Sequence, residues 1–387
     1  MLFTNARLVL ENHTVQASLR TEGPRIKAYG EHLSALPGEE VVDCKGLYLA
    51  PGFIDIHSHG GGGHDIMDGE AEDIVLAAKA HLKHGTTTYY PTTMTNTDEA
   101  TIHTFECFRE ARKYGDAIPH LEGIHMEGPY FSPAQAGAQD PSFIKTPKQE
   151  HYRMFLEKGG DVIKRISFAP ELPGAIEMAD ALRDTGIVLA AGHTNATYQE
   201  ISRAFDHGVT HLTHFYSGMS TIHREGGFRI LGTVEAGYLI DGLTIELIAD
   251  GMHLPPELLK MILKLKAHDH ISLCTDSMRG ADMPEGPTIL GPKVGGVKCF
   301  VEGGIAKMPD HQAFAGSVAT TDRLVRVMHQ KAGLSIAEAV AMMTINPARV
   351  MHIDGKTGSI AVGKQADLVL FDENIQVSEV YLSGKRV

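Results

Sequence analysis

Pro51-Gly52-Phe53-Ile54-Asp55-Ile56-His57-Ser58-His59 begins as an apolar run, ends on two histidines, and is followed at once by Gly60-Gly61-Gly62-Gly63. Side chains alternate along a strand, so His57 and His59 emerge on one face and bring two imidazoles within reach of a single ion. The same form, an apolar run closing in polar or glycine-containing residues, recurs at Thr86–Met94, Leu121–Glu127, Val162–Glu171, Ile187–Thr194, Val209–Phe215, Leu243–His253 and Ile271–Ser277. Such runs are the signature of strands buried on both faces. Segments with helical spacing fill most of the gaps, among them Ala71–His84, Thr101–Lys113, Ala175–Thr185, Tyr198–His207 and Pro256–Ala267. The alternation predicts an α/β protein, a (β/α)8 TIM barrel.

An open doubly wound sheet shares this local pattern, and periodicity alone does not separate the two. The ends of the runs do. Candidate ligands close the first, third, fifth, sixth and eighth runs, and a barrel gathers its C-terminal strand ends where an open sheet spreads them.

The flanks read differently. Leu2-Phe3-Thr4-Asn5-Ala6-Arg7-Leu8-Val9-Leu10 alternates over a short stretch, with turn signals at Glu22-Gly23-Pro24 and Leu36-Pro37-Gly38, and residues 358–382 have the same character. Neither piece is large enough to stand alone. They are expected to pair as small antiparallel strands into one β-sandwich domain, residues 1–50 with 351–387, beside a catalytic barrel of residues 51–350.

Composition narrows the function. With 35 Lys and Arg against 48 Asp and Glu, the formal charge of -13 repels phosphate backbones and anionic lipid, so neither nucleic acid nor a membrane is expected as partner. No stretch approaches the roughly 20 apolar residues of a membrane helix, and no secretory signal opens the chain, so the expected location is the cytoplasm. Cys44, Cys107, Cys274 and Cys299 are scattered without a C-x-x-C pair, against a zinc knuckle or a disulfide framework.

The chemistry sits at the strand ends. Glu127 in His125-Met126-Glu127-Gly128-Pro129, His193 after Ala190-Ala191-Gly192, His214 after Thr210-His211-Leu212-Thr213, and Asp276 in Leu273-Cys274-Thr275-Asp276-Ser277 join His57 and His59. Each alone reads as an ordinary polar strand end or helix cap. Together, six imidazole and carboxylate groups suit a divalent metal, one or two ions drawn from Zn, Fe, Co, Mn or Ni. Such an ion lowers the pKa of water toward neutrality, and Asp276 beside it can take and return a proton. The expectation is metal-dependent hydrolysis. There is no G-x-G-x-x-G turn, P-loop or G-x-S-x-G elbow to favour dehydrogenase, kinase or serine hydrolase chemistry.

The first stretch and Gly358-Ser359-Ile360-Ala361-Val362-Gly363-Lys364-Gln365-Ala366-Asp367-Leu368-Val369 resemble the amidohydrolase superfamily. Glu127 in its motif, with Ala249-Asp250-Gly251-Met252-His253, Thr275-Asp276-Ser277-Met278-Arg279 and Phe314-Ala315-Gly316-Ser317, is similar to the N-acetylglucosamine-6-phosphate deacetylase family within it. The resemblance implies hydrolysis of the acetamide of N-acetylglucosamine 6-phosphate, in amino-sugar catabolism or cell-wall recycling. It implies a main metal on Glu127, His193 and His214, a second on His57, His59 and Asp276 with Glu127 bridging, and Asp276 as general base and then acid. Around the substrate it places Ala138, Gln139, Ser217, Gly218, Asp250, His253, Phe314, Ala315, Gly316 and Ser317, with Gln139 as donor to the acetamide carbonyl and His253 near the reacting group.

Arg224 matches the family's phosphate-binding arginine, in a homodimer where it reaches the neighbouring subunit's pocket. One departure stands out: the family's His-x-Tyr-Asn-Ala-Met is here His214-Phe215-Tyr216-Ser217-Gly218-Met219. Lys164, near the start of the fourth run, is out of place for relatives that use a carboxylated lysine. Two alternatives stay open: another N-acetylhexosamine phosphate, such as the galactosamine epimer, and a non-catalytic scaffold.

Overall fold

The computed structural model describes residues 1–311 and 313–387. Eight parallel strands, numbered here β1 to β8, form the barrel: β1 Phe53–Ser58, β2 Thr86–Thr93, β3 Ile124–Glu127, β4 Ile163–Phe168, β5 Val188–Ala191, β6 Val209–Leu212, β7 Thr244–Leu247 and β8 Ile271–Leu273. Each pairs with the next in chain order. A helix follows every strand: α1 Ala71–Leu82, α2 Asp98–Ala111, α3 Gln149–Gly159, α4 Ala175–Leu182, α5 Tyr198–Asp206, α6 Thr233–Leu239, α7 Pro256–Leu265 and α8 Thr321–Val327. Three of them, α3, α6 and α8, lie outside the segments named above from helical spacing.

The seam between β8 and β1 closes in two ways. At the C-terminal end the backbone of Asp276 donates to His57 at 2.9 Å and that of His59 to Ser277 at 2.8 Å. Lower down the strands part, and the turn between α9 (Ile336–Ala341) and α10 (Ile345–Val350) fills the gap. There Ile54 donates to the carbonyl of Met343 at 2.9 Å and Leu273 to that of Met342 at 2.8 Å. These bonds give buried backbone groups on both sides of the seam their partners.

Regular strand pairing stops earlier than the apolar runs. Three runs were expected to reach Thr194, Phe215 and Ser277, but the strands end at Ala191, Leu212 and Leu273. The reason is local. His193, His214 and Asp276 stand at φ of 47°, 30° and 45°, left-handed backbone that leaves the ladder and turns the side chain inward over the barrel mouth.

The two chain ends share one eight-stranded sheet. Leu2–Val9 pairs antiparallel with Thr14–Glu22, whereas it runs parallel to Val41–Asp43 and Tyr48–Pro51, which is a departure from the all-antiparallel expectation. The return of the chain through residues 31–40, after the strand Arg25–Gly30, allows that crossover. Tyr48–Pro51 then pairs with the C-terminal Leu368–Phe371 and feeds directly into β1. Alternation assigns the faces: Leu49, Leu368 and Leu370 join Phe3, Leu19 and Tyr381 in a separate core, while Ala50, Val369 and Phe371 pack into the barrel's own core. Two further features carry no strand-helix signal, a hairpin of His223–Glu225 with Phe228–Ile230 and a three-stranded sheet spanning 286–307.

Candidate active site

The six strand-end groups converge. Nε2 of His57 lies 3.3 Å from Nε2 of His59 and 3.3 Å from Oδ1 of Asp276. Nε2 of His214 lies 3.1 Å from Nε2 of His193 and 3.0 Å from Oε1 of Glu127. Glu127 sits between the two sets, its Oε1 3.4 Å from His57 and from His193, its Oε2 3.4 Å from His59. Two three-residue clusters thus share one carboxylate, and each has its ligand atoms close enough for one ion.

The imidazoles are held from behind. Nδ1 of His57 donates to Glu246 at 2.8 Å, that of His59 to the carbonyl of Thr92 at 3.2 Å, and that of His193 to the carbonyl of Gln135 at 2.8 Å. A proton fixed on Nδ1 leaves the Nε2 lone pair aimed into the site. The Nε2 atoms of His57 and His59 then face each other across 3.3 Å, an arrangement suited to ligands around a cation. The donor set therefore fits a divalent metal, with nitrogen and carboxylate oxygen ligands in the usual proportion.

Electrostatics agree. Burial opposes charge on Glu127, yet His57 and the imidazoles of His193, His214 and His59 hold its carboxyl well below the carboxylate range. Burial likewise disfavours a charged His214, but Glu127 raises it to about 9. His59 is lifted above the imidazole range against its burial by Asp276 and Glu127. The carboxylates draw positive charge to this point of the barrel, whether it arrives as protons or as a metal ion.

The Amidohydrolase family model matches residues 48–387, from the last strand before β1 to the chain end. The chain belongs to the amidohydrolase family. Among its relatives, the N-acetylglucosamine-6-phosphate deacetylase of Lysinibacillus sphaericus is 32% identical, over 98% of this chain and 97% of its own. The N-acetylgalactosamine-6-phosphate deacetylase of Escherichia coli O157:H7 is 33% identical over 87% of each. The solved structure of the N-acetyl-D-glucosamine-6-phosphate deacetylase of Mycobacterium smegmatis, a D267A mutant in complex with N-acetyl-D-glucosamine-6-phosphate, aligns with a TM-score of 0.90 at 28% identity, covering 100% of this chain and 98% of that one.

In this amidohydrolase a cavity opens directly above the clusters. His59, Glu127, His193, His214 and Asp276 form its floor, and Ala138, Gln139, Ser217, Gly218, His253, Phe314 and Gly316 line its walls. Gly137, Met94, Ile248 and Leu290 complete the lining, residues that no polar pattern announces. Gln139 accepts from the backbone and hydroxyl of Thr95 at 2.8 and 2.9 Å, which fixes its amide nitrogen toward Glu127 at 2.7 Å. One amide hydrogen serves Glu127, and the second remains for a ligand.

His253, packed edge-on against Phe314, is oriented from behind by Asp250 through Nδ1 at 2.8 Å. Gly218, at φ 56°, lies against His193: a Cβ there would stand 3.0 Å from Nδ1. That contact gives a physical reason for glycine at the departing position.

Other residues lie outside the cavity. Asp250 is behind His253, Ala315 is packed in a small apolar core, and Ser317 is tied by its backbone to Asp276 at 3.0 Å. Arg224 is exposed on the 223–230 hairpin and does not line the cavity. Lys164 packs over Gly123, on the opposite face of β4 from inward-pointing Arg165. Sequence reasoning missed Arg165 and Glu246, fully buried beneath His57. The available signal was a charged residue in the middle of each of two buried strands.

Proposed function

We propose that this chain hydrolyses the acetamide of N-acetylglucosamine 6-phosphate to glucosamine 6-phosphate and acetate. The observation that carries this reading is Glu127 shared between two buried clusters at the floor of a cavity, with Asp276 beside it. When bound, a divalent ion supplies Lewis-acid polarisation of the acyl carbonyl and a water nucleophile at neutral pH. Glu127, His193 and His214 would hold the main ion, and His57, His59 and Asp276 a second.

The chain's own groups do the rest. Asp276, its side chain 13% exposed toward the cavity, accepts a proton as the water oxygen attacks the acetyl carbon. It returns that proton to the amine nitrogen as the C–N bond breaks. The free amide hydrogen of Gln139 is placed to bond the developing oxyanion, and His253 to hold the sugar.

The phosphate needs a cation, and no Lys or Arg lines the cavity among the described residues. A net charge of -13 makes that need sharper. Arg224 on its exposed hairpin, with Arg229 on the paired strand, is the group we assign to the phosphate of a neighbouring subunit in a homodimer. Exposed Phe228 and Ile222 beside it suit an interface. We place the enzyme in the cytoplasm, since a phosphorylated sugar does not cross a lipid bilayer unaided, and divide the chain into a β-sandwich of 1–50 with 351–387 and a barrel of 51–350.

The galactosamine epimer is the second reading, favoured by the relative from Escherichia coli O157:H7. Acetate release from both 6-phosphates and from unphosphorylated N-acetylglucosamine tests these assignments. Turnover is expected to be fastest on N-acetylglucosamine 6-phosphate. Equal rates with and without the phosphate overturn the part given to Arg224.

A further inference from the structure

Beneath the six candidate ligands the barrel interior is polar. Arg165 on β4 and Glu246 on β7 form a two-point ion pair, Nη1 to Oε2 at 2.6 Å and Nη2 to Oε1 at 2.9 Å, with both side chains fully buried. Oε1 of Glu246 also accepts from Nδ1 of His57 at 2.8 Å and from the backbone N–H of His214 at 3.0 Å. His57 belongs to one cluster and His214 to the other, so a single oxygen braces both from below. Arg165 continues to the hydroxyl of Thr213 at 2.8 Å, Thr213 to Ser167 at 2.7 Å, and Ser167 to Nε2 of His125 at 2.7 Å. Hydrogen bonds thus fill a level that barrels usually fill with branched apolar side chains.

A carboxylate that accepts a hydrogen bond from the Nδ1–H of an imidazole decides its tautomer and its ring plane. Left alone, a buried carboxylate at this spot would carry an uncompensated charge and compete for any cation above it. The guanidinium, engaging both oxygens, removes that competition and fixes the carboxylate plane. We propose that Arg165 and Glu246 are one positioning unit, which sets the Nε2 atom of His57 and the backbone of His214 for divalent metal. The pair supplies no ligand and touches no substrate. This inference rests on the metal-dependent reading given above.

The test compares R165M/E246L with R165M/E246Q, two double variants that leave no unpaired buried charge. Leucine cannot accept from Nδ1 of His57, whereas the glutamine carbonyl can. Zinc affinity is read by competition with a chromophoric chelator, and folding by circular dichroism. R165M/E246L is expected to fold and to bind zinc about 10- to 100-fold more weakly, with R165M/E246Q restoring most of the loss. Parent-like affinity in R165M/E246L, equal loss in the two variants, or failure of either to fold overturns the positioning role. A parent chain that takes up no zinc overturns the metal-dependent reading itself, a result distinct from any difference between variants.

Discussion

His193 and His214 meet through their Nε2 atoms at 3.1 Å, each reaching the site from left-handed backbone just past the end of its strand. Non-glycine residues in that region cost on the order of 1–3 kcal/mol each, and persist where the surroundings over-determine them. Here the surroundings include Glu127, which faces both rings and the two imidazoles of the other cluster. Glu127→Ala is therefore expected to abolish binding at both clusters while the barrel stays folded. Elemental analysis of the purified variant checks this, and a full parental metal content would contradict the shared role.

Asp276 lines the cavity beside Glu127 and is the more exposed of the two, 13% against 2% of its side chain. Asp276→Asn keeps an oxygen near His57 and His59 but no longer takes a proton. Turnover should fall by about 10²- to 10⁴-fold with most of the metal retained. Steady-state kinetics beside metal analysis separate the two effects, and near-parental kcat would remove the residue from its acid-base role.

Gly218→Ala tests the fit around His193. The added methyl would stand 3.0 Å from Nδ1 on backbone at φ 56°, so both contact and conformation resist it. A left-handed alanine costs about 1–2 kcal/mol, and the displaced imidazole should lower kcat as well. Urea midpoints and initial rates are the measurements; unchanged values in both would show that the loop yields freely.

Beside β1, His81 of α1 is fully buried, donates from Nε2 to the carbonyl of Gly60 at 2.9 Å, and has no partner at Nδ1 among the described residues. Burial lowers its pKa to about 4. Between roughly pH 6.5 and pH 4 the unfolded chain binds this proton and the native chain does not, so stability is full above that window and falls as pH drops through it. The loss is on the order of 3 kcal/mol for a shift of this size. His81→Gln should flatten the decline measured between pH 7 and pH 5, and a parallel decline in parent and variant would assign it to other groups.

Much of this was legible in the chain. Eight buried strands announced themselves because parallel strands under helices carry unbroken apolar runs, and His57 with His59 announced a site because a two-residue spacing is a single face. Glu127, His193, His214 and Asp276 followed from their place at strand ends. The Arg165–Glu246 pair did not, because two residues 81 positions apart meet only through the barrel's register. The left-handed turns at His193, His214 and Asp276 were hidden for another reason: none of the three is a glycine, and tertiary contacts impose their backbone. Arg224 was visible as a motif, but its distance from the cavity is a property of the folded hairpin.

Metal-dependent deacetylation at the buried clusters requires that turnover follow the bound ion. Its most direct measurement is acetate release from N-acetylglucosamine 6-phosphate by protein stripped with a chelator and then titrated with zinc. Activity should vanish on stripping and return in step with bound metal, saturating at one or two equivalents per chain. Full turnover by the metal-free protein, or no acetate from the fully reloaded one, would contradict the account.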